Sequence, residues 1–506
     1  MWLVVVRLGA LACALLLLGL VFRRRERTLR LLREFWLAPT GPVNLAALRI
    51  VLFWGLFRSA TGQNPLWYAR LPAGERDPPL GWGFLGSLPF DEGLVSGAHD
   101  AFVVASAAAL LGAFTRLSVP VSAVLAVYVL GLPNFFAKIN HAHHVRVLCA
   151  LALAASPCGD ALSLDRLWKR LRGFAPPSPS SAYTVPVRSA WVLLATTYFF
   201  PGFWKLWEAG DLWLTGDALR FWLYSKWAAL PDFAPLYRID RHGWLLALLG
   251  IATLFFELGF PFALLNRVTR TFAALSAVGF HLGVGYFMGI HFHAFFPLIV
   301  LLEIPEGMRT LRRYAPTAGT RVVEALRART KAWLAALVRP GNAPATSRTW
   351  PLRSALPAAV VGGALVFGQV VTGFGAMSTW PVSVYPTFSG RGGALPRVGS
   401  SLRVQLETPG EAPVDLGKKL KRLGPARLKK LLHGLERNDR AARTRQRGRA
   451  LVALFRHASV ELEAGDRVSV YETTWKVLPP GKRKNQRERL VQRFVVGEDG
   501  TLSRER

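Results

Sequence analysis

The chain has 506 residues, 51% of them hydrophobic, and a formal net charge of +32. Their distribution excludes a soluble polybasic protein: apolar runs close to the ~20 residues of a membrane-spanning helix recur, with arginine-rich loops between them. The charge therefore reads as a topology signal and implies no nucleic-acid partner. The three cysteines, Cys13, Cys149 and Cys158, lie within or just past apolar runs and form neither a disulfide framework nor paired metal-ligand spacing.

In chain order, residues 1–34 read as an uncleaved membrane anchor and basic segment, because the arginine cluster follows the apolar run. Arg7 is an unexplained cost within it. Further spans are expected at 43–60, 99–115, 117–136, 145–157, 187–204, 243–265, 271–290, 292–304 and 356–377. Two of these are short enough to be half-buried or re-entrant, so the count is about nine or ten. Ten spans put Arg23–Arg33, Arg116, the "LDRLWKRLRG" loop, Arg267/Arg270 and the basic segment 306–355 all in the cytoplasm. Within that segment "VVEALRARTKAWLAALV" has the pattern of an interfacial helix on anionic lipid. The opposite side receives loop 61–98, the "NFFAKINHAHH" segment, the Trp-rich stretch after Lys205 and everything beyond the last span. From about residue 390 to 506 the composition becomes soluble and basic, with strand-like "SLRVQLE", "RVSVYETTWKV" and "RLVQRFVVGED" around a basic helical stretch. The expected architecture is an all-α polytopic membrane bundle carrying a C-terminal soluble α+β domain.

Six of the ten histidines fall in two segments, His141, His143 and His144 in one and His281, His291 and His293 in the other. Imidazoles in spans tend to face a cavity or the bundle interior, although interfacial histidines bonded to backbone would look the same. Their HxHH and HxH spacings place alternate residues on different helix faces, which suits a di-iron centre poorly, so no metal is expected. Glu257 and Glu303 are expected near the cytoplasmic helix ends, with Glu257 paired to Arg267 or Arg270. Lys205 closes the apolar run "VRSAWVLLATTYFFPGFW". It is either a snorkelling anchor at the lipid boundary or a base in a partly dry pocket.

The stretch "YFFPGFWKLWEAGDLWLTGDAL" resembles the Y-x-x-x-G-x-x-K-L…W-x-x-G signature of the vitamin K-dependent gamma-carboxylase-like membrane proteins, the HTTM (horizontally transferred transmembrane) domain family. "LAALRIVLFWGLF", "ALALAASPCGDALSLDRLW" and "FHLGVGYFMGIHFHAFFPLIVLL" resemble further family segments in the same order, so the likeness covers about 35–305. It implies that Lys205 stands where the carboxylase has its catalytic base, with Trp204 replacing the preceding lysine. His141 or His143, beside Asn140, stands near the place of the family's catalytic histidine. His144, Tyr198, Trp213, His281, His291 and His293 are further pocket candidates. In the animal enzyme the base deprotonates vitamin K hydroquinone, oxygenation yields an alkoxide, and the carbanion made at a peptide glutamate captures CO2. The resemblance thus implies a reduced quinone, O2 and CO2, a secreted peptide or protein substrate, an integral location in the bilayer of a bacterial inner membrane, and a C-terminal domain outside the cytoplasm. The alternative is a non-enzymatic scaffold or secretion-assisting protein that binds a partner through its basic C-terminal domain.

Overall fold

The computed structural model describes residues 2–69, 90–135, 141–230, 237–290, 296–301, 355–377, 379–383, 388–390, 397–416, 460–478, 482–498 and 502–505, with isolated positions between them. The expected interfacial helix in 306–355 and the basic helical stretch between the C-terminal strands lie outside the described residues.

Among the described residues, seven helices are long and apolar enough to cross a membrane by length and composition. In the naming used below they are α1 (Trp2–Arg23), α3 (Val43–Thr61), α5 (Glu92–Leu111), α6 (Thr115–Val129, extended by a 3-10 turn to Phe135), α11 (Gly243–Ala263), α12 (Arg267–Met288) and α13 (Leu356–Phe374). Three expected spans are not among these seven: 187–204 falls within a longer helix described below, and the other two are short in the described residues. Segment 145–157 forms α7 (His144–Ala154), whose 11 residues reach about 16 Å. Of 292–304, the described part is a 3-10 turn, Phe296–Leu301. Both are wrapped by protein: Val147, Leu148 and Cys149 of α7 and Ile299 and Val300 of the turn belong to the bundle core. A short apolar run has the same composition whether lipid or protein surrounds it, which is why the two readings coincide in sequence.

The amphipathic α2 (Arg25–Leu37) leads from the first span into the bundle, and the short α4 (Leu66–Ala69) and α8 (Leu164–Leu171) sit at helix ends. The organising element is α9 (Ser181–Thr215), which packs against α1, α2, α3, α7, α11 and α13. It does not stop at residue 204. The helix is 35 residues long in all and runs on to Thr215, with a non-helical backbone only at Ala209, and hands over through Gly216 to α10 (Asp217–Ala229).

The polypeptide then returns as α11, antiparallel to α9, and close approaches fix the register. Cβ atoms built on Gly202, Gly250 and Gly216 would overlap Glu257, Trp213 and Leu246 respectively. As the residue number rises along α9 it falls along α11 in step, so residues in the low 200s oppose the mid-250s.

Beyond α13 the segment 379–383 turns back into the bundle. Trp380 is buried and its indole N–H donates to the Val127 carbonyl at 2.8 Å. The Ser383 N–H donates to Gln369 Oε1 at 3.0 Å. The C-terminal region then forms an antiparallel sheet in the order β2-β1-β3-β4-β5, from β1 (Arg397–Glu407), β2 (Val414–Asp415), β3 (Arg467–Leu478), β4 (Lys482–Val496) and β5 (Leu502–Arg504). Alternating Val404/Leu406, Val468/Val470 and Phe494/Val496 give it its own small core, as the period-2 pattern requires. Trp475 of β3 packs with Leu223, Tyr224 and Trp227 of α10, seating the sheet beside the end of α9.

Candidate functional site

The centre of the site is an ion pair. Lys205, only 2% exposed, donates from Nζ to both oxygens of Glu257, at 2.5 and 2.7 Å. Glu257 is 3% exposed. The expected pairing of Glu257 with Arg267 or Arg270 is therefore corrected: those arginines meet Glu303, Arg270 at 2.7 Å and Arg267 at 3.8 Å. The physical reason is that α9 continues past residue 204, through its kink at Ala209, to Thr215. With the helix running on to residue 215, Lys205 lies within it rather than at its end, and the antiparallel register carries Glu257 opposite. Gly202, one turn earlier, makes the approach possible, because a Cβ there would sit 2.7 Å from Glu257 Cβ. Lys205 does not snorkel, since protein encloses its ammonium group.

Aromatic rings surround the pair. The Lys205 nitrogen lies 5.2 Å from the Trp213 ring centroid. Tyr198, two turns before Lys205 on α9, stacks on Phe260 at 4.6 Å and meets Phe256 edge-on at 5.2 Å. Its hydroxyl is 2.8 Å from His281 Nε2. Tyr198, Lys205 and Trp213 of α9, Glu257 of α11 and His281 of α12 thus form one buried assembly. In a medium of low dielectric such a pair costs much to separate, while a proton passed between its partners creates no net charge.

The other histidine group is separate. His143 is 2.9 Å from Gln63 Nε2 and 3.1 Å from Arg146 Nη2. The rings of His141 and His144 lie 4.6 Å apart, and His144 meets Trp380 edge-on at 4.5 Å. None of the three hydrogen-bonds to Lys205, whose partners are Glu257 and Trp213. Asn140, His291 and His293 lie outside the described residues.

Two residues in the recognised motifs serve the fold. Arg49, fully buried on α3, donates to the carbonyls of Cys158 at 2.9 Å and Leu162 at 2.5 Å. Asp165 accepts from the backbone N–H groups of Phe114 and Thr115, both at 2.7 Å, and from the Thr115 hydroxyl at 2.6 Å. Together they clamp the α5–α6 turn to the loop before α8. Gly112 makes that turn at φ +71°, where a Cβ would overlap Ser163 and Arg49.

Arg7 also has a role. Its Nε donates to the Trp207 carbonyl at 2.7 Å, and its guanidinium stacks on the Trp207 ring at 4.8 Å. Ala209 leaves helical geometry just beyond, so Arg7 serves backbone that the kinked helix satisfies poorly. Sequence reasoning missed three partnerships: Glu257 with Lys205, Trp380 with His144, and Arg7 with Trp207. The small residues Gly202 and Gly210 were the available signals for two, since α9 is approached by Glu257 at the first and by Val6 of α1 at the second.

No curated protein and no solved structure matches the chain. The family model of the HTTM domain matches residues 39–305, more than half of its length. That interval holds α3 to α12 and with them the whole Lys205 assembly. With this match over more than half of its length, and seven helices apolar enough to cross a membrane among the described residues, the chain belongs to the HTTM domain family.

Proposed function

We propose that the protein is an integral membrane enzyme in which Lys205 removes a proton from an acidic hydroxyl delivered from the lipid phase, the chemistry of a reduced quinone. The observation that supports this reading is the buried Lys205–Glu257 pair beside Tyr198, Phe256, Phe260 and Trp213. The donor set fits such a ring: flat apolar walls would hold it, and a lysine and carboxylate that share protons could accept one. When bound, the quinol would supply the reducing equivalents for reaction with O2.

The protein's part is to bind, orient and move the proton. Lys205 is a useful base only once it has given up its own proton, and Glu257 is the acceptor within reach. Transfer from Nζ to a Glu257 oxygen leaves a neutral amine facing a neutral acid, and the amine then takes the hydroxyl proton. Exclusion of water favours the first transfer, which turns an ion pair into two neutral groups; the second makes an ammonium and a quinolate, which the close contact of the two opposite charges would hold. Tyr198 and His281, joined at 2.8 Å, orient the far side of the pocket. Carboxylation of a secreted glutamyl peptide with CO2 is the family-like outcome of this proton removal. In this reading His141 or His143 acts from the neighbouring group with Asn140, and His144, His291 and His293 line the approach.

The reading also sets the C-terminal sheet on the non-cytoplasmic face of a bacterial inner membrane, with α10 and the Lys205 end of α9. Purified protein given vitamin K hydroquinone and O2 is expected to form the epoxide, and Lys205→Ala to abolish it. Epoxidation at the wild-type rate in that variant would refute the role of Lys205. The non-enzymatic scaffold reading is supported by the exposed Arg487 and Arg489 of β4. It expects no quinol turnover and full biological function in Lys205→Ala.

A further inference from the structure

At the far end of α9 a second polar site is built. Arg188 lies 17 residues before Lys205, about 25 Å along the helix. Here a cavity of about 320 Å³ is lined, among the described residues, by Thr40, Asn44, Thr184, Val187, Arg188, Arg267 and Glu303. Among the described residues, three guanidinium groups converge on the single carboxylate of Glu303: Arg270 at 2.7 Å, Arg188 at 3.4 Å and Arg267 at 3.8 Å. Arg188 and Arg270 flank Trp191, with guanidinium carbons 3.8 and 4.6 Å from its ring centroid, which fixes both in place. Arg270 and Glu303 form the tight contact. Arg267 lines the cavity, is 54% exposed, and reaches Glu303 only at a long distance.

Helix geometry agrees with the sign of the charge. Asn44 lies in the first turn of α3, which no side chain caps, and Arg267 is the first residue of α12. Thr184 and Arg188 lie in the first two turns of α9. Three helix N-termini therefore bring their positive ends to one cavity that already holds more guanidinium than carboxylate. Thr40 and Thr184 hold the wall together, Thr184 donating to the Ala38 carbonyl and lying 3.0 Å from the Thr40 hydroxyl.

The geometry points to a phosphate-binding site in this cavity, with Arg267 and Arg188 as its charged ligands. Its source is a phospholipid headgroup or free phosphate. Thr40 of the cavity wall follows the arginine-rich α2 by three residues, at the end of the bundle where lipid headgroups would meet the helices, and the volume holds a phosphate with part of a headgroup. The inference is independent of the proposed role of Lys205.

The test uses the full chain in detergent, stripped of lipid. Retained lipid is read by native mass spectrometry, and the thermal midpoint is followed with added phosphatidylglycerol, diacylglycerol, or potassium phosphate against potassium chloride of equal ionic strength. A rise with phosphatidylglycerol but not with diacylglycerol or inorganic phosphate assigns a lipid headgroup; a rise with inorganic phosphate alone assigns the free ion. In either case Arg267→Gln should weaken binding at least about tenfold, as loss of a charge-assisted contact requires. Arg267 is half exposed, so this variant is expected to fold. Arg188→Lys, which keeps the charge and loses the planar fork, should weaken binding as well. No response to either phosphate source, or equal binding by wild type and Arg267→Gln, overturns the inference.

Discussion

Lys205 on α9 and Glu257 on α11 meet with both carboxylate oxygens within 2.7 Å of the one ammonium nitrogen, in a part of the bundle closed to solvent. Removing either partner strands a charge in the interior. Glu257→Gln and Lys205→Met should each cost about 3–5 kcal/mol of stability. The double variant Lys205→Met/Glu257→Leu should recover most of that loss. A double-mutant cycle on thermal unfolding in detergent checks this, and additive losses in the double variant would contradict a coupled pair.

Gly202→Val should separate α9 from α11 at this point. The added Cβ would stand 2.7 Å from that of Glu257, and overpacking of this kind costs about 1–3 kcal/mol. The expected signature is a lowered midpoint together with loss of the Lys205–Glu257 coupling in the cycle above. Coupling of undiminished size would show that the glycine does not set the helix approach.

Asp165 gives a prediction that separates fold from chemistry inside the family motifs. Its carboxylate accepts three hydrogen bonds at the α5–α6 turn. Asp165→Ala should leave those donors unsatisfied and lower stability by about 1–3 kcal/mol. Whatever folded protein remains should turn over at the wild-type rate per molecule, measured as activity normalised to the folded fraction. A selective fall in rate would put Asp165 in the reaction.

Outside the spans, Asp240 has a pH signature. Burial works to raise its carboxyl, but hydrogen bonds from Arg238 and Tyr224 outweigh burial and hold it below the ordinary carboxylate range. A group lowered on folding contributes stability above its unfolded value, near 4, and loses that contribution as the pH falls through its folded value. Asp240→Asn should therefore be less stable than wild type at pH 7, with the difference shrinking below about pH 4. Fluorescence of Trp227, over which Arg238 stacks at 5.1 Å, is the local readout. A difference that persists unchanged to pH 3 would contradict it.

Much of this architecture was legible because lipid and protein impose different lengths and periods. Long apolar runs gave α1, α3, α5, α6, α11, α12 and α13, and period-2 alternation gave β1, β3 and β4. The short segments α7 and Phe296–Leu301 were left between span and half-buried or re-entrant segment, since apolar composition does not record whether the neighbour is a lipid chain or another helix. Lys205 stood out through its motif, but its partner did not. Glu257 lies 52 residues away, and only the antiparallel register of two helices brings it there. The boundary drawn at residue 204 concealed that register, because Lys205 looked like the end of a helix that in fact runs on for ten more residues.

The segment after α13 carries a consequence for biosynthesis. Trp380 fills a place among α6, α7 and the His141–His144 turn, elements made some 230 to 260 residues earlier. Until the ribosome has passed that point, the Val127 carbonyl and the edge of His144 have no indole to meet, and Trp204 lacks the Gly373 carbonyl to which it donates. These contacts therefore close only after α3 to α12 have all been made. Nascent chains halted before residue 380 should remain protease-sensitive at α6 and α7, and released full-length protein should not.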